Sequence, residues 1–185
     1  PDVEQFRRRL VEQAKQTYAK ILARNSGPAF GEEMALVDMR LADGNRVTGQ
    51  TEQAIAQYKS AIERLQTLTR SSGANDKYRR ELADAYHWLG ETERNSPKLR
   101  ADAEKSYDSA LAIEGQLAKD PDNQSALART HYSRGIVRQA GGRFNDARTD
   151  YEEAIRLLTP LTGADRYKQD LARAKNNLAK LIFDA

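Results

Sequence analysis

A chain of 185 residues is long enough for one ordinary domain, and 39% hydrophobic against 31% charged residues makes it soluble in character. Thirty basic side chains against 27 acidic ones leave a formal charge of only +3, the interspersed pattern of solvated helix faces, which speaks against a nucleic-acid partner. Absence of cysteine excludes disulfides, thiolate metal ligands and a cysteine nucleophile, and the longest apolar runs fall far short of the roughly 20 residues that cross a bilayer.

No charged-then-apolar leader is present, and Pro1 is not a natural start. The chain therefore reads as a fragment or processed product, preceded by more repeats or another domain. Residues 1–25 are predicted as a helix on which Ala14, Tyr18 and Ile21 stand at offsets of four and three, on one stripe. Asn25, Ser26, Gly27 and Pro28 break it.

Residues 29–72 are predicted as two helices. The first carries Met34-Ala35 and the small Ala42; Thr48-Gly49-Gln50 ends it, with Gly able to supply positive φ. The second repeats the four-and-three stripe as Ala54, Tyr58 and Ala61, continued by Ile62, Leu65 and Leu68. Residues 76–120 write the pair again with Leu82-Ala83, Gly90, then Ala103, Tyr107 and Ala110. Here Ser96 is expected as N-cap and Pro97 as first helical residue. Residues 123–162 give Leu127-Ala128, Gly135, the break Gly141-Gly142-Arg143, then Ala147, Tyr151 and Ala154. Residues 165–185 hold a first helix without a partner, with Leu171-Ala172 and Ala179. Asp76 and Asp165 are expected to cap the helices they precede.

The small residues Ala42, Gly90, Gly135 and Ala179 are spaced by 48, 45 and 44 positions. Whole lines recur: GANDKYRRELADA at 73–85 and GADRYKQDLARA at 163–174. A small residue on the first helix facing Ala on the second lets the two pack closely, and the Tyr fills the remaining space. This order of Leu, small residue, then Ala, Tyr and Ala resembles the tetratricopeptide repeat, in a variant longer than the usual 34 residues. The first-helix aromatic survives as Tyr86 but is Asp38, His131 and Lys175 elsewhere, and the late aromatic is replaced by Asn45, Glu93 and Arg138. The resemblance implies an all-α, right-handed superhelix of three full hairpins between a leading and a trailing half-repeat, all within one domain spanning 1–185. The phrasing of YRRELADAYHWLG and YKQDLARAKNNLAKL also resembles tetratricopeptide tails of bacterial serine/threonine kinases and other multidomain signalling proteins.

Few residues suggest chemistry. His87 and His131 lie on separate first helices, without a second histidine or clustered carboxylate at metal-ligand spacing, and no phosphate-binding glycine motif occurs. His131 is expected to be a packing residue and His87 to face a groove; no cofactor or metal is expected, and no enzymatic activity. Trp88 is expected to cover the seam between repeats.

Counting each Ala of the Leu-Ala pairs as position 1, positions 2, 5, 9 and 12 form a stripe beside the buried one. The family resemblance places that stripe in a concave groove. It contains Met39 and Asp43; Asp84, His87 and Glu91; Arg129, Tyr132 and Ile136; and Arg173, Asn176 and Lys180. The basic end suits acidic groups on a peptide or protein segment, with apolar anchors near Tyr132, Ile136 and Met39. The expected function is a noncatalytic interaction or scaffold module with a protein partner, no nucleic acid and no membrane insertion. The alternative is a homo-oligomerisation module assembling through its terminal helices. The cytoplasm is the expected compartment, the periplasm being open to a chain tethered by a segment outside these residues.

Overall fold

The computed structural model describes residues 28–71, 75–163 and 165–183, together with Gln5, Phe6, Arg9, Leu10, Gln13, Gln16, Thr17 and Lys20. Among the described residues every regular element is helical. The chain divides into two compact units, residues 1–93 and 94–185. The boundary falls between the two helices predicted for residues 76–120. The predicted leading stripe of Ala14, Tyr18 and Ile21 lies outside the described residues.

The first unit contains α1 (Pro28–Val47), α2 (Thr51–Ser71) and α3 (Asp76–Glu93). The second contains a 3₁₀ turn (Pro97–Leu99), α4 (Arg100–Leu117), α5 (Pro121–Ala140), α6 (Phe144–Leu158), a 3₁₀ turn (Thr159–Leu161) and α7 (Asp165–Phe183). Consecutive helices within each unit pack on one another, α1 on α2, α2 on α3, α4 on α5, α5 on α6 and α6 on α7. The chain is an all-α helical-repeat protein.

The hairpin turns follow from two glycines. Gly49 and Gly142 adopt φ of 75° and 76°, where an L side chain would crowd the following carbonyl. Each stands just after a first helix. In the first turn the Gln50 amide donates to the Asn45 carbonyl at 2.8 Å and Gly49 to Arg46 at 3.2 Å; in the second, Arg143 donates to Arg138 at 2.9 Å and Gly142 to Gln139 at 3.0 Å. These are the paired bonds of a Schellman stop, formed identically in α1–α2 and α5–α6.

The other helix ends differ in part from expectation. Ser96 precedes a 3₁₀ turn and its side chain makes no capping bond; the turn is closed by the Leu99 amide donating to the Ser96 carbonyl at 3.0 Å. Asp76 is the first residue of α3, not its cap. The Asn75 side chain accepts from the Lys77 amide at 3.0 Å, so the cap is one residue earlier. Asp165 likewise opens α7 and pairs with Lys168 at 2.7 Å, as a carboxylate in a first turn favours the helix dipole. Asp120 does cap α5, its carboxylate accepting from the Asn123 amide at 2.9 Å with Pro121 behind it.

The cores are the predicted stripes. Tyr58, Tyr107 and Tyr151 are each fully buried, as are Ala54, Ala61, Ala103, Ala110, Ala147 and Ala154. In the first unit Met34, Val37, Leu41, Ile62, Leu65 and Leu68 complete the interior. In the second, Leu127, Leu157, Leu158, Tyr167 and Leu171 do. A fully buried leucine such as Leu65 contributes about 2 kcal/mol through transfer from water. Alanine at the contact lets the helix axes approach until a tyrosine ring spans the gap. The approach is close at Gly135, where a Cβ would stand 2.7 Å from Cε1 of Tyr151.

Candidate functional site

Two stripes on the first helices α1 and α5 have separate tasks. Positions 1, 4, 8 and 11 face the second helix of the same hairpin. In α1 these are Ala35, Asp38, Ala42 and Asn45: Asp38 accepts from Ser60 at 2.7 Å and from Arg64 at 3.0 Å, and the Asn45 amide donates to Gln57 at 2.6 Å. In α5 they are Ala128, His131, Gly135 and Arg138: His131 Nδ1 lies 3.0 Å from Asp150, and Arg138 Nη1 donates to Asp150 at 3.0 Å. In these two hairpins the missing late aromatic is thus replaced by a polar pair, formed with the residue just before the buried tyrosine.

Asp150 belongs to a larger network that single-helix patterns did not reveal. Its side chain is 1% exposed, and besides His131 and Arg138 it accepts two bonds from Arg134, at 2.6 and 3.1 Å. Arg134 also reaches Asp108 on α4 at 2.6 Å, and Arg138 reaches Glu104 at 2.8 Å, where Arg143 joins them. Burial pushes the Asp150 carboxyl up, but the hydrogen bonds from His131 and Arg134 and the charges of Arg134 and Arg138 outweigh it and hold the group below the ordinary carboxylate value. Burial likewise pushes the Tyr151 phenol up to about 12. His131 is a packing residue, as expected, and Asp150 supplies its reason.

The recurring lines at 73–85 and 163–174 have a structural cause. Tyr78 donates to Glu32 at 2.8 Å, and the adjacent Lys77 pairs with the same carboxylate. In the second unit Tyr167 donates to Asp122 at 2.7 Å, and Arg166 pairs with it at 2.9 Å. A cation and a tyrosine at the start of one first helix therefore clamp an acid near the start of the preceding one. Trp88 plays a related part, half-buried on α3 with the Arg46 guanidinium of α1 4.8 Å above its ring.

Positions 2, 5, 9 and 12 are the candidate binding stripe. In the first unit it is largely occupied by internal contacts. Asp43 accepts the Tyr58 hydroxyl at 2.5 Å, Met39 is half-buried, and Asp84 and Glu91 are partly covered. His87 departs from expectation: it is 1% exposed, because α3 buries residues around most of its circumference, and it is not open to a ligand. In the second unit Arg129, Arg173, Asn176 and Lys180 are exposed, on neighbouring first helices α5 and α7. Tyr132 and Ile136 are half-buried against Tyr151, Leu178 and Leu181, and Tyr132 accepts from the Asn177 amide at 3.2 Å. Between the starts of α5 and α7 lies a cleft of about 270 Å³ lined by Asp122, Ser125, Arg129, Arg166, Tyr167 and Asp170. Arg173 adjoins it through its pair with Asp170 at 3.3 Å.

Among the described residues no group of three or more His, Asp or Glu stands together as a metal site, and no helix is long and apolar enough to cross a membrane.

No protein-family model and no curated protein matches the chain. Among solved structures it is similar to BtubC (BKLC) from P. vanneervenii, with a TM-score of 0.61 and 14% identity over 96% of this chain and 75% of that one. It is also similar to the MamA protein, with a TM-score of 0.36 and 20% identity over 81% of this chain and 87% of that one. The DHF119 filament gives 0.41 and 16% over 98% and 96%. The likeness to BtubC is one of fold, and the other two are too distant to carry an argument. The helical-repeat architecture agrees with the fold that the tetratricopeptide resemblance implies, and none of these likenesses connects the chain to kinases.

Proposed function

We propose that the chain is a noncatalytic protein-interaction module whose binding face is the basic stripe on α5 and α7, and that it serves within a larger bacterial signalling protein. The observation that carries the reading is the exposed set Arg129, Arg173, Asn176 and Lys180, set on adjacent first helices beside the cleft at Arg166. An extended segment lying across the two helices would place an acidic side chain against these cations and an apolar one toward Tyr132 and Ile136. Asp122 and Asp170 share the cleft, so the preferred segment is mixed in charge and not a run of acids. The noncatalytic part rests on the two histidines, one buried and the other held by Asp150.

Exposed charge pairs are worth about 0.2–1 kcal/mol each and are screened by salt, so binding is modest and salt-sensitive. Affinity capture from the source cell, comparing wild type with Arg129→Glu plus Arg173→Glu at unchanged helicity, tests the assignment. Loss of a specific partner in the variant is expected. If every captured protein survives both charge reversals, the α5/α7 face is not the binding site.

A further inference from the structure

Each unit joins one first helix to the next through an acid, a cation and a tyrosine, but the acid stands at a different place in the two. Counted back from Met34-Ala35 and Leu127-Ala128, Glu32 of α1 and Ser125 of α5 hold the same position, as do Ala29 and Asp122. Counted back from Leu82-Ala83 and Leu171-Ala172, Lys77 matches Arg166 and Tyr78 matches Tyr167. In the first unit the acid is Glu32, whose side chain is 20% exposed; Tyr78 donates to it at 2.8 Å and Lys77 pairs with it. In the second unit the acid is Asp122, three residues earlier and so about 4.5 Å nearer the start of its helix. Arg166 and Tyr167 meet it there at 2.9 and 2.7 Å, and its side chain is 73% exposed.

The place that Glu32 fills in the first unit is vacated in the second. Ser125 stands there, and the cleft of about 270 Å³ between α5 and α7 opens beside it and Ala126. The groups that hold the carboxylate of Glu32 keep their counterparts around this cleft. Arg166 lies 4.6 Å over the Tyr167 ring and meets Asp122 through Nη2. A guanidinium presents five N–H donors in a fork, so this contact leaves donors for a second carboxylate. The charge around the cleft has moved the same way. At these positions the first unit sets Glu32, Glu33 and Glu81 against Lys77, whereas the second sets Asp122 and Asp170 against Arg166 and Arg129, which stands where α1 has Leu36. The second unit thus admits one more negative charge and is still less acidic than the first. Hydrogen bonds from Lys77 and Tyr78 hold the Glu32 carboxyl below its ordinary value, so this arrangement favours the charged form of the acid it encloses.

We propose that the cleft between α5 and α7 is a socket for a glutamate side chain of the partner segment, which brings from outside the carboxylate that the first unit supplies as Glu32. The inference rests on the reading of α5 and α7 as the binding face and names the group that face takes. Arg166 and Arg129 receive the carboxylate and the Ser125 hydroxyl donates to it, while Asp122 and Asp170 beside them repel a second acid. A carboxylate on a methylene stem reaches Ser125 and leaves the partner's backbone outside. A chain-terminal carboxylate would have to carry its own backbone in between the two aspartates.

Ser125→Glu puts a carboxylate into the socket from the chain itself, at a half-buried helical position where Glu is a good helix former. Followed by carbon-detected NMR, the new carboxyl is expected to titrate below the ordinary 4.5, as Glu32 does, and to return toward that value when Arg166→Gln is added. An ordinary value in Ser125→Glu overturns the proposal. So does a lowering that survives Arg166→Gln, since it would come from Arg129 on the same helix alone. On the wild-type chain the probe is Nα-acetylglutamate N-methylamide, read by amide NMR. Saturable shifts are expected at Ser125, Arg129 and Arg166 and are expected to vanish in Ser125→Glu. No saturable shift, an equal response to the glutamine analogue, or a stronger one to N-acetylglycine or to the phosphoserine analogue overturns the proposal. Affinity capture separates this inference from the wider reading. If Ser125→Glu keeps every partner that Arg129→Glu plus Arg173→Glu loses, the face binds and the socket is wrong. If the probe saturates the cleft but the double charge reversal loses no partner, the carboxylate site stands and the assignment of the binding face fails.

Discussion

Replacing Asp150 by Asn removes one charge and almost no volume from the most enclosed ionic site in the second unit. The carboxylate is 1% exposed and takes bonds from His131 at 3.0 Å, Arg134 at 2.6 Å and Arg138 at 3.0 Å. Breaking a buried ion pair by altering one partner costs about 3–5 kcal/mol, because the other charge is left unmatched. Here the loss is tempered. Arg134 keeps Asp108 at 2.6 Å and Arg138 keeps Glu104 at 2.8 Å, and both guanidinium side chains retain some exposure to water. The expected cost is therefore near the lower end, about 3 kcal/mol, read from urea unfolding followed by circular dichroism. The control is Glu152→Gln, which removes the partner of Arg148 at 2.7 Å on the outer face of α6, where the two side chains are 49% and 58% exposed. That pair is worth less than about 0.5 kcal/mol. Equal small losses in the two variants would show that enclosure of Asp150 does not govern its energetics, and the reasoning would fail.

Gly135→Ala sets helix propensity, which favours Ala by about 1 kcal/mol, against overpacking of about 1–3 kcal/mol from a Cβ 2.7 Å from the fully buried Tyr151 ring. A net loss near 1 kcal/mol is expected in chemical denaturation, and a gain would mean that the ring moves freely. Lys77 and Tyr78 bond to Glu32 and hold its carboxyl below its ordinary value of 4.5. Its contribution is thus complete above the ordinary value and is lost as pH falls through the lowered one. Glu32→Gln should flatten the acid limb of stability below the ordinary carboxylate value, and an unchanged limb would contradict the clamp. The Tyr151 phenol, raised to about 12, favours folding below the unfolded tyrosine value and ceases to do so as pH climbs to about 12. Tyr151→Phe should make the alkaline limb shallower in the same denaturation experiment.

The hairpins were legible because their signal is local in two ways. An Ala, Tyr and Ala set at offsets of four and three lies on one side of one helix, and Gly49 and Gly142 mark the only places among the described residues where φ turns positive. The exposed basic stripe of α5 and α7 was legible for the same reason. His87 was not, since whether a side chain at position 5 is open depends on how many faces of its helix are covered, and periodicity within α3 reports only one. The network around Asp150 was invisible because its members stand on α4, α5, α6 and the turn before α6, with sequence separations of 12 to 39 residues, and each looks like an ordinary surface charge by itself. The cap of α3 was misplaced by one residue because Asn75 and Asp76 are equally good caps, and only the direction of the chain entering the helix chooses between them.

The positions where the sequence departs from the tetratricopeptide pattern carry the most specific information in the molecule. An aromatic at position 11 would pack against nearly any second helix, since apolar contact has no direction. Asn45 with Gln57 and Arg138 with Asp150 are directional, and exchanging the second helices would set Arg138 against Gln57 and leave Asp150 facing Asn45 with its cations gone. Polar pairs thus stabilise each hairpin less than aromatics would, but they fix which second helix belongs to which first.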